Sequence, residues 1–388
     1  MSAPLAPPGA GPRAGTQHGR TPGAPAPRAL AGGRLELHRL PGRSAVRTRC
    51  GRASLVLRPR ALLVSTALTA AVLVVSAVAL SVGDYGLPLR EVGPALLGRG
   101  DPGALLVVQT FRLPRLVVGL LVGAALGLSG ALTQSVARNP IASPDVLGVT
   151  AGAGLGAVAV IVLGAGLSTT YAGALAGGTG AAVLVAALAW HRGSTDGPRL
   201  LLVGVGTTAV LSALTSWLLV RAEITAAQQA TVWLTGSLNG RGWEHAAPVG
   251  LALLLLVPLT IALTRLLGTL RLGDDVARGL GTRVGATRVA LVLAAVALAA
   301  VAVASAGPVA FVALVAPQVA LRLARTPGIP LLTSALTGAL LVVASDVVAR
   351  QALPAVELPV GAVTAVVGAP YLLWLLTRSP LARGKDST

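Results

Sequence analysis

Only one of the chain's 13 acidic residues, Asp346, falls well inside a long apolar stretch. A carboxylate in hydrocarbon is expensive to keep and is by default a candidate for proton relay. Arg350 follows four residues later, on the same helix face, and acid-before-base at that spacing is the better order for an ion pair. The spacing therefore favours a structural pair over a relay. Metal chemistry has less support. His18, His38, His191 and His245 lie in a tail or at the edges of apolar runs, none pairs with another at ligand spacing, and Cys50 is the sole cysteine. No metal and no cofactor is expected. A phosphate-binding loop needs a lysine after glycine followed by Ser or Thr, and the sole lysine, in "RGKDST", fails that pattern. The chain therefore cannot hydrolyse ATP by that route, and it is not read as an enzyme. ATP hydrolysis, if it drives transport, belongs to another subunit. Gly152, Gly154 and Gly156 lie in an apolar run without the preceding strand that a dinucleotide loop requires, so they read as helix packing.

The elements that must hold these residues are membrane helices. The chain is 54% hydrophobic and 11% charged, against about 25% charged for a soluble protein. Its apolar residues fall in runs long enough to cross roughly 30 Å of hydrocarbon. The runs lie near 61–82, 116–136, 146–168, 170–190, 200–220, 246–264, 289–306, 308–324, 330–349 and 359–377. The fold class expected is an all-α polytopic membrane protein with about ten spans. Residues 1–59 are rich in Pro, Gly, Ala and Arg, lack apolar periodicity, and are expected to be a disordered basic tail facing anionic lipid, with no nucleic-acid partner. Residues 60–378 are expected to form the ten-helix membrane domain and 379–388 a second cytoplasmic tail. About 60 residues precede the first run, so that run is expected to be a retained span and not a secretory signal.

With the first tail inside, seven of the 31 basic residues fall outside: Arg90, Arg99, Arg112, Arg115, Arg221, Arg241 and Arg350. The excess of inner charge predicts both termini in the cytoplasm. Arg112 and Arg115, in "FRLPRLVVGLL", sit outside against that bias. The longest inner loop after the tail holds a segment at about 270–286, in which Leu272, Val276 and Leu280 recur every four residues as one stripe of a short helix. Gly279 and Gly281 end that helix.

Four ordered blocks resemble the FecCD family of permeases, which serve ATP-binding-cassette importers of iron–siderophore complexes, haem and cobalamin. "RLPRLVVGLLVGAALGLSGALTQSVARNPIASPDVLGVTAGAG" (112–154) is similar to the family's second and third spans, with Gln134, Arg138-Asn139-Pro140, Pro144 and Gly148. "LGDDVARGLGTRVG" (272–285) resembles its coupling segment, here Leu272, Gly273, Asp274, Asp275, Ala277, Arg278, Leu280 and Gly281. "GPVAFVALVAPQVALRL" and "SDVVARQALPAVELPVGAVTAVVGAPYLLWLL" match its last spans, with Pro317, Asp346, Glu357, Pro359 and Gly361. The family often has Gly where Ala313 stands and His where Gln318 follows Pro317; the Ala/Gln version looks like a ferric-siderophore branch of enterobactin type.

The resemblance implies a permease in the cytoplasmic membrane that translocates ferric siderophores. A cobalamin or haem permease is the alternative, and an ion-coupled secondary transporter a more distant one. It also implies a second permease subunit, two cytoplasmic P-loop ATPases and an extracytoplasmic siderophore-binding lipoprotein. Arg112 and Arg115 match family arginines at the outer mouth, which the resemblance implies pair with carboxylates of that binding protein; Arg350 is expected to join them, in competition with its pairing to Asp346.

Overall fold

A computed structural model describes residues 36–40, 43–47, 54–57, 59–83, 85–189, 197–326, 328, 330–353 and 357–377. Most of the first tail, Cys50, His191 and the second tail at 379–388 lie outside them. The chain divides into two units, residues 1–57 and 58–388. The first holds three short antiparallel strands, β1 (Glu36–Leu40), β2 (Arg43–Arg47) and β3 (Ser54–Leu57), in the order β1-β2-β3. The segments "ELHRL", "RSAVR" and "SLVL" are too short and too mixed in polarity to show the alternation of a strand, so the sequence does not signal them. The all-α reading therefore applies to the second unit.

That unit begins with α1 (Pro59–Ser81), α2 (Leu89–Leu96) and α3 (Pro102–Leu106). A π-helical turn, Val107–Arg112, runs directly into α4 (Leu113–Ala137). A 3-10 turn, Pro144–Leu147, leads to α5 (Val149–Val162), α6 (Leu167–Ala189), α7 (Gly197–Arg221) and α8 (Ile224–Leu234). Then come α9 (Trp243–Leu270), α10 (Asp274–Gly279), α11 (Val284–Ala306), α12 (Val312–Ala324), α13 (Leu331–Gln351) and α14 (Val360–Thr377). Seven helical stretches are long and apolar enough to cross a membrane, and α5, α12 and α14 are shorter apolar helices. The stretches between the first and second and between the fifth and sixth apolar runs contain the helices α2, α3 and α8. Asp101 starts α3 by accepting bonds from the Gly103 and Ala104 amides at 2.9 and 3.3 Å, with Pro102 at the first helical position.

The core sits around α4 and α11, whose apolar windows are each 72% buried, whereas that of α1 is 6% buried. Bare glycines let the inner helices touch backbone to backbone. A methyl group at Gly123 would overlap the Gly338 carbonyl of α13, and one at Gly127 the Ser334 carbonyl. Gly152 and Gly156 of α5 meet Gly177 and Gly173 of α6 in the same way. Close approach of this kind holds membrane helices together through dispersion, because lipid supplies no hydrophobic expulsion. Gly130 of α4 lies against the Ala313 carbonyl of α12. Pro317, four residues on, has no N–H to bond that carbonyl, so the missing helical bond falls where the glycine backbone approaches. The eighth apolar run becomes helical only at Val312. Gly307, at φ +77°, ends α11, and residues 307–310 are non-helical before Phe311, at φ +65°.

Candidate functional site

Three clusters of polar residues stand out in the second unit. The first gathers Arg112, Arg115, Asp346, Arg350 and Glu357. Arg112 ends the π turn and caps α4, and Arg115 lies in the first turn of α4 beside Pro114. Arg112 is buried and donates from Nη1 to the carbonyls of Leu80 (2.7 Å) and Ser81 (3.1 Å), and from Nη2 to that of Tyr85. These are carbonyls at and just beyond the end of α1, left without helical donors. Arg350 donates from Nη1 to Ala79 (3.2 Å) and Val82 (3.1 Å), so two arginines from different helices close the end of α1. Arg350 Nη2 also pairs with Asp346 Oδ2 at 3.1 Å. Arg115 grips Asp346 Oδ1 through Nε (3.1 Å) and Nη2 (2.9 Å), and Glu357 through Nη1 at 3.1 Å to Oε2. Its side chain is 13% exposed and that of Asp346 5%, whereas Glu357 is 38% exposed. The spacing of Asp346 and Arg350 signals their pair. Arg115 reaches both acids from more than 200 residues away, and no local pattern signals that.

The second cluster is the segment around α10. Gly273 at φ +105° and Gly281 at φ +81° bracket the helix, a backbone conformation that a side chain would strain. Ala277 is fully buried, while Leu272, Val276 and Leu280 are each exposed by half or more. Asp274 faces the bundle: Arg138 Nη2 lies 3.0 Å from its Oδ1 and Arg288 Nη2 3.3 Å from both oxygens. Arg138 also donates to the Leu270 carbonyl. It ends α4 in the left-handed conformation at φ +50°, which swings the chain into the turn at Asn139 and Pro140. The Asn139 side chain accepts the Ile141 amide at 3.1 Å. Asp275 and Arg278 form a separate exposed pair at 2.8 Å.

The third is a cavity of about 600 Å³. Its walls come from the 3-10 turn, α5, α7, the end of α8 and residues 308–311. Thr208, Ser212, Thr215 and Ser216 give α7 one hydroxyl-bearing face toward it, and Thr150 and Gly154 keep the facing side of α5 small. Among the described residues, Asp145 is its one charged lining group; the carboxylate accepts a bond from Thr150. Asp145 is packed among protein atoms, yet its surface opens to the cavity. Desolvation holds its carboxyl above the usual carboxylate range, against hydrogen bonds from Thr150 and Ser143 that lower it. Sequence reading passed over this residue. Pro144 opens the 3-10 turn and Gly148, at φ +73°, closes it.

Of the other residues singled out by sequence, Gln134 and Gln318 form a buried pair at 2.6 Å, and Gln134 donates to the Leu314 carbonyl at 3.0 Å. Pro359 contributes the carbonyl that the Ala362 amide bonds at 3.1 Å. Gly361 donates to the Gly236 carbonyl at 3.0 Å in a space with no room for a side chain. Among the described residues, no group of three or more His, Cys, Asp or Glu is placed to hold a metal ion.

Comparison with known proteins settles the lineage. The FecCD transport family matches residues 68–378, most of the second unit. The chain belongs to the FecCD transport family. Among FecCD relatives, the ferric enterobactin transport system permease protein FepG of Escherichia coli is 41% identical over 319 residues, covering 82% of this chain and 96% of that protein. The achromobactin transport system permease protein CbrC of Dickeya dadantii is 42% identical over 312 residues, covering 79% and 89%. A solved inward-facing structure of a metal-chelate type ABC transporter superposes with a TM-score of 0.72 at 27% identity, covering 82% of this chain and all of that one. This FecCD protein is accordingly a multi-pass membrane protein of the transporter class.

Proposed function

We propose that the chain is the permease subunit of an ATP-binding-cassette importer for ferric-siderophore chelates. It would cross the cytoplasmic membrane ten times, with both termini inside, and pair with a second permease. The observation that carries this reading is the segment around α10. The segment carries an apolar stripe, Leu272, Val276 and Leu280, each exposed by half or more. Its helix, α10, is tied through Asp274 and Arg138 to the end of α4, next to the turn that leads to the cavity. An ATPase seated on the stripe could pull on the pathway wall through this link. The names of the relatives support the substrate class.

The opposite end of α4 carries the arginine cluster, where an extracytoplasmic binding protein would dock. Arg115 already holds two internal carboxylates. Docking would therefore exchange partners, with an incoming carboxylate replacing the exposed Glu357 while Asp346 stays in place. Secondary transport loses appeal on the same geometry, since both Asp346 oxygens are held by arginines.

The test is ATP-dependent uptake of a radiolabelled ferric siderophore by the chain reconstituted with a second permease, a P-loop ATPase and a siderophore-binding protein. Uptake that fails without the ATPase is expected. Cobalamin uptake in place of siderophore uptake would favour the alternative cargo. Uptake abolished by a protonophore at constant ATP would overturn the proposal.

A further inference from the structure

The end of α12 carries cations that neither the arginine cluster nor the α10 segment uses. Arg322, in its last turn, stacks over Trp374 of α14 with the guanidinium carbon 4.6 Å from the ring centroid, and lies 5.9 Å from that of Tyr371. The two rings are 5.8 Å apart. On the other side, Arg60 at the start of α1 donates from Nε to the Leu323 carbonyl at 3.0 Å. Arg325 follows at the helix cap, exposed, at φ +46°. Three arginines thus lie at or against one helix end. Among the described residues none of them has a carboxylate within ion-pair distance.

What surrounds them is apolar and outward-facing. Leu62 and Leu63 of α1, Leu323 of α12, and Leu373 and Trp374 of α14 are all exposed, and α1 is hardly covered by protein along its length. Residues with long apolar stems and charged tips, next to Trp and Tyr, are what the headgroup level of a bilayer selects. The loop after α12 abuts the Arg271 guanidinium beside α10, so this end of the bundle is the one that bears the α10 segment.

We propose that Arg60, Arg322 and Arg325, with Tyr371 and Trp374 as a platform, form a site for the phosphate of an anionic phospholipid in the leaflet on the α10 side. A net negative headgroup fits because, among the described residues, the three cations have no carboxylate at ion-pair distance. A zwitterionic headgroup brings its own ammonium into the same cluster and gains less. The bland role for these arginines is to cap α12, whose last carbonyls favour nearby cations. Capping alone would make stability indifferent to lipid charge.

The test is thermal unfolding of the purified full chain in neutral detergent, titrated with phosphatidylglycerol, phosphatidylcholine or inorganic phosphate. Phosphatidylglycerol should raise the melting temperature of the wild type, and the other two should not. Arg60→Gln with Arg322→Gln and Arg325→Gln should raise the phosphatidylglycerol concentration needed by about a hundredfold. Trp374→Leu keeps every charge and removes one ring, and should cost about fivefold. Arg90→Gln, an exposed arginine outside the cluster, should change nothing. If the triple variant does not fold, Arg325→Gln alone carries the test, with a shift of about fivefold expected. Equal responses of wild type and variants to phosphatidylglycerol would overturn the site. So would a phosphatidylcholine response as large as that to phosphatidylglycerol, or a response to inorganic phosphate that saturates the effect.

Discussion

Arg115 concentrates two different energetics in one side chain. Its contact with Asp346 is buried, and removing one partner of such a pair strands a charge, at a cost of about 3 kcal/mol or more. Its contact with Glu357 is partly solvated and worth about 0–1 kcal/mol. Arg115→Ala should therefore lower thermal stability markedly. Glu357→Gln should leave stability nearly unchanged and, on the exchange reading, tighten docking of the binding protein by up to about fivefold. Binding of that protein to reconstituted permease measures both variants, and docking weakened by Glu357→Gln would refute the exchange. Arg115→Lys should also lose function, because an ammonium cannot span two carboxylates as a planar fork does. Legibility follows sequence distance here. The Asp346–Arg350 pair is written in a four-residue spacing, whereas the capping of α1 by Arg112 depends on where a helix more than 30 residues earlier ends.

At the scale of elements, α10 shows what periodicity reveals and omits. The spacing of Leu272, Val276 and Leu280 marks one face of a helix, and the structure exposes that face. The spacing does not say which of two adjacent acids turns inward. Asp274 does, toward Arg138 and Arg288, and Asp275 stays in solvent with Arg278. Asp274→Asn should then lower transport per ATP hydrolysed by severalfold with the ATPase still bound, and Asp275→Asn should be close to silent. Coupled uptake and hydrolysis measured on the same vesicles decide between the two acids. The short helices α2, α3 and α8 were not legible, since they lie in mixed polar stretches too brief to establish a period. The long helices were legible because hydrocarbon sets their length. Their close packing was legible too, in the glycines. Gly127→Val should cost about 3 kcal/mol or more, because the added methyls meet the backbone of α13 and not a movable side chain. Unfolding in mild detergent should show it, with Gly180→Val, at a position open to space, as the control.

For the whole molecule, the charge asymmetry sets an expected orientation. With Cys50 replaced by serine, a cysteine at Arg278 should react with an impermeant thiol reagent only in inverted vesicles, and one at Arg90 only in right-side-out vesicles. The opposite pattern would reverse the topology. The glycine contacts carry a further implication, for biogenesis. Gly123 and Gly127 of α4 close against α13, some 200 residues later in the chain. A ribosome making this protein therefore releases α4 into the bilayer long before its backbone partner exists. During that interval the bare stripe has only lipid to lie against, and the later members of the arginine cluster, Asp346, Arg350 and Glu357, are also missing. The nascent chain is then a half-built bundle that quality-control proteases can recognise. Chains truncated before α13 should be degraded faster than chains lacking only the residues after Thr377, however well their early helices insert.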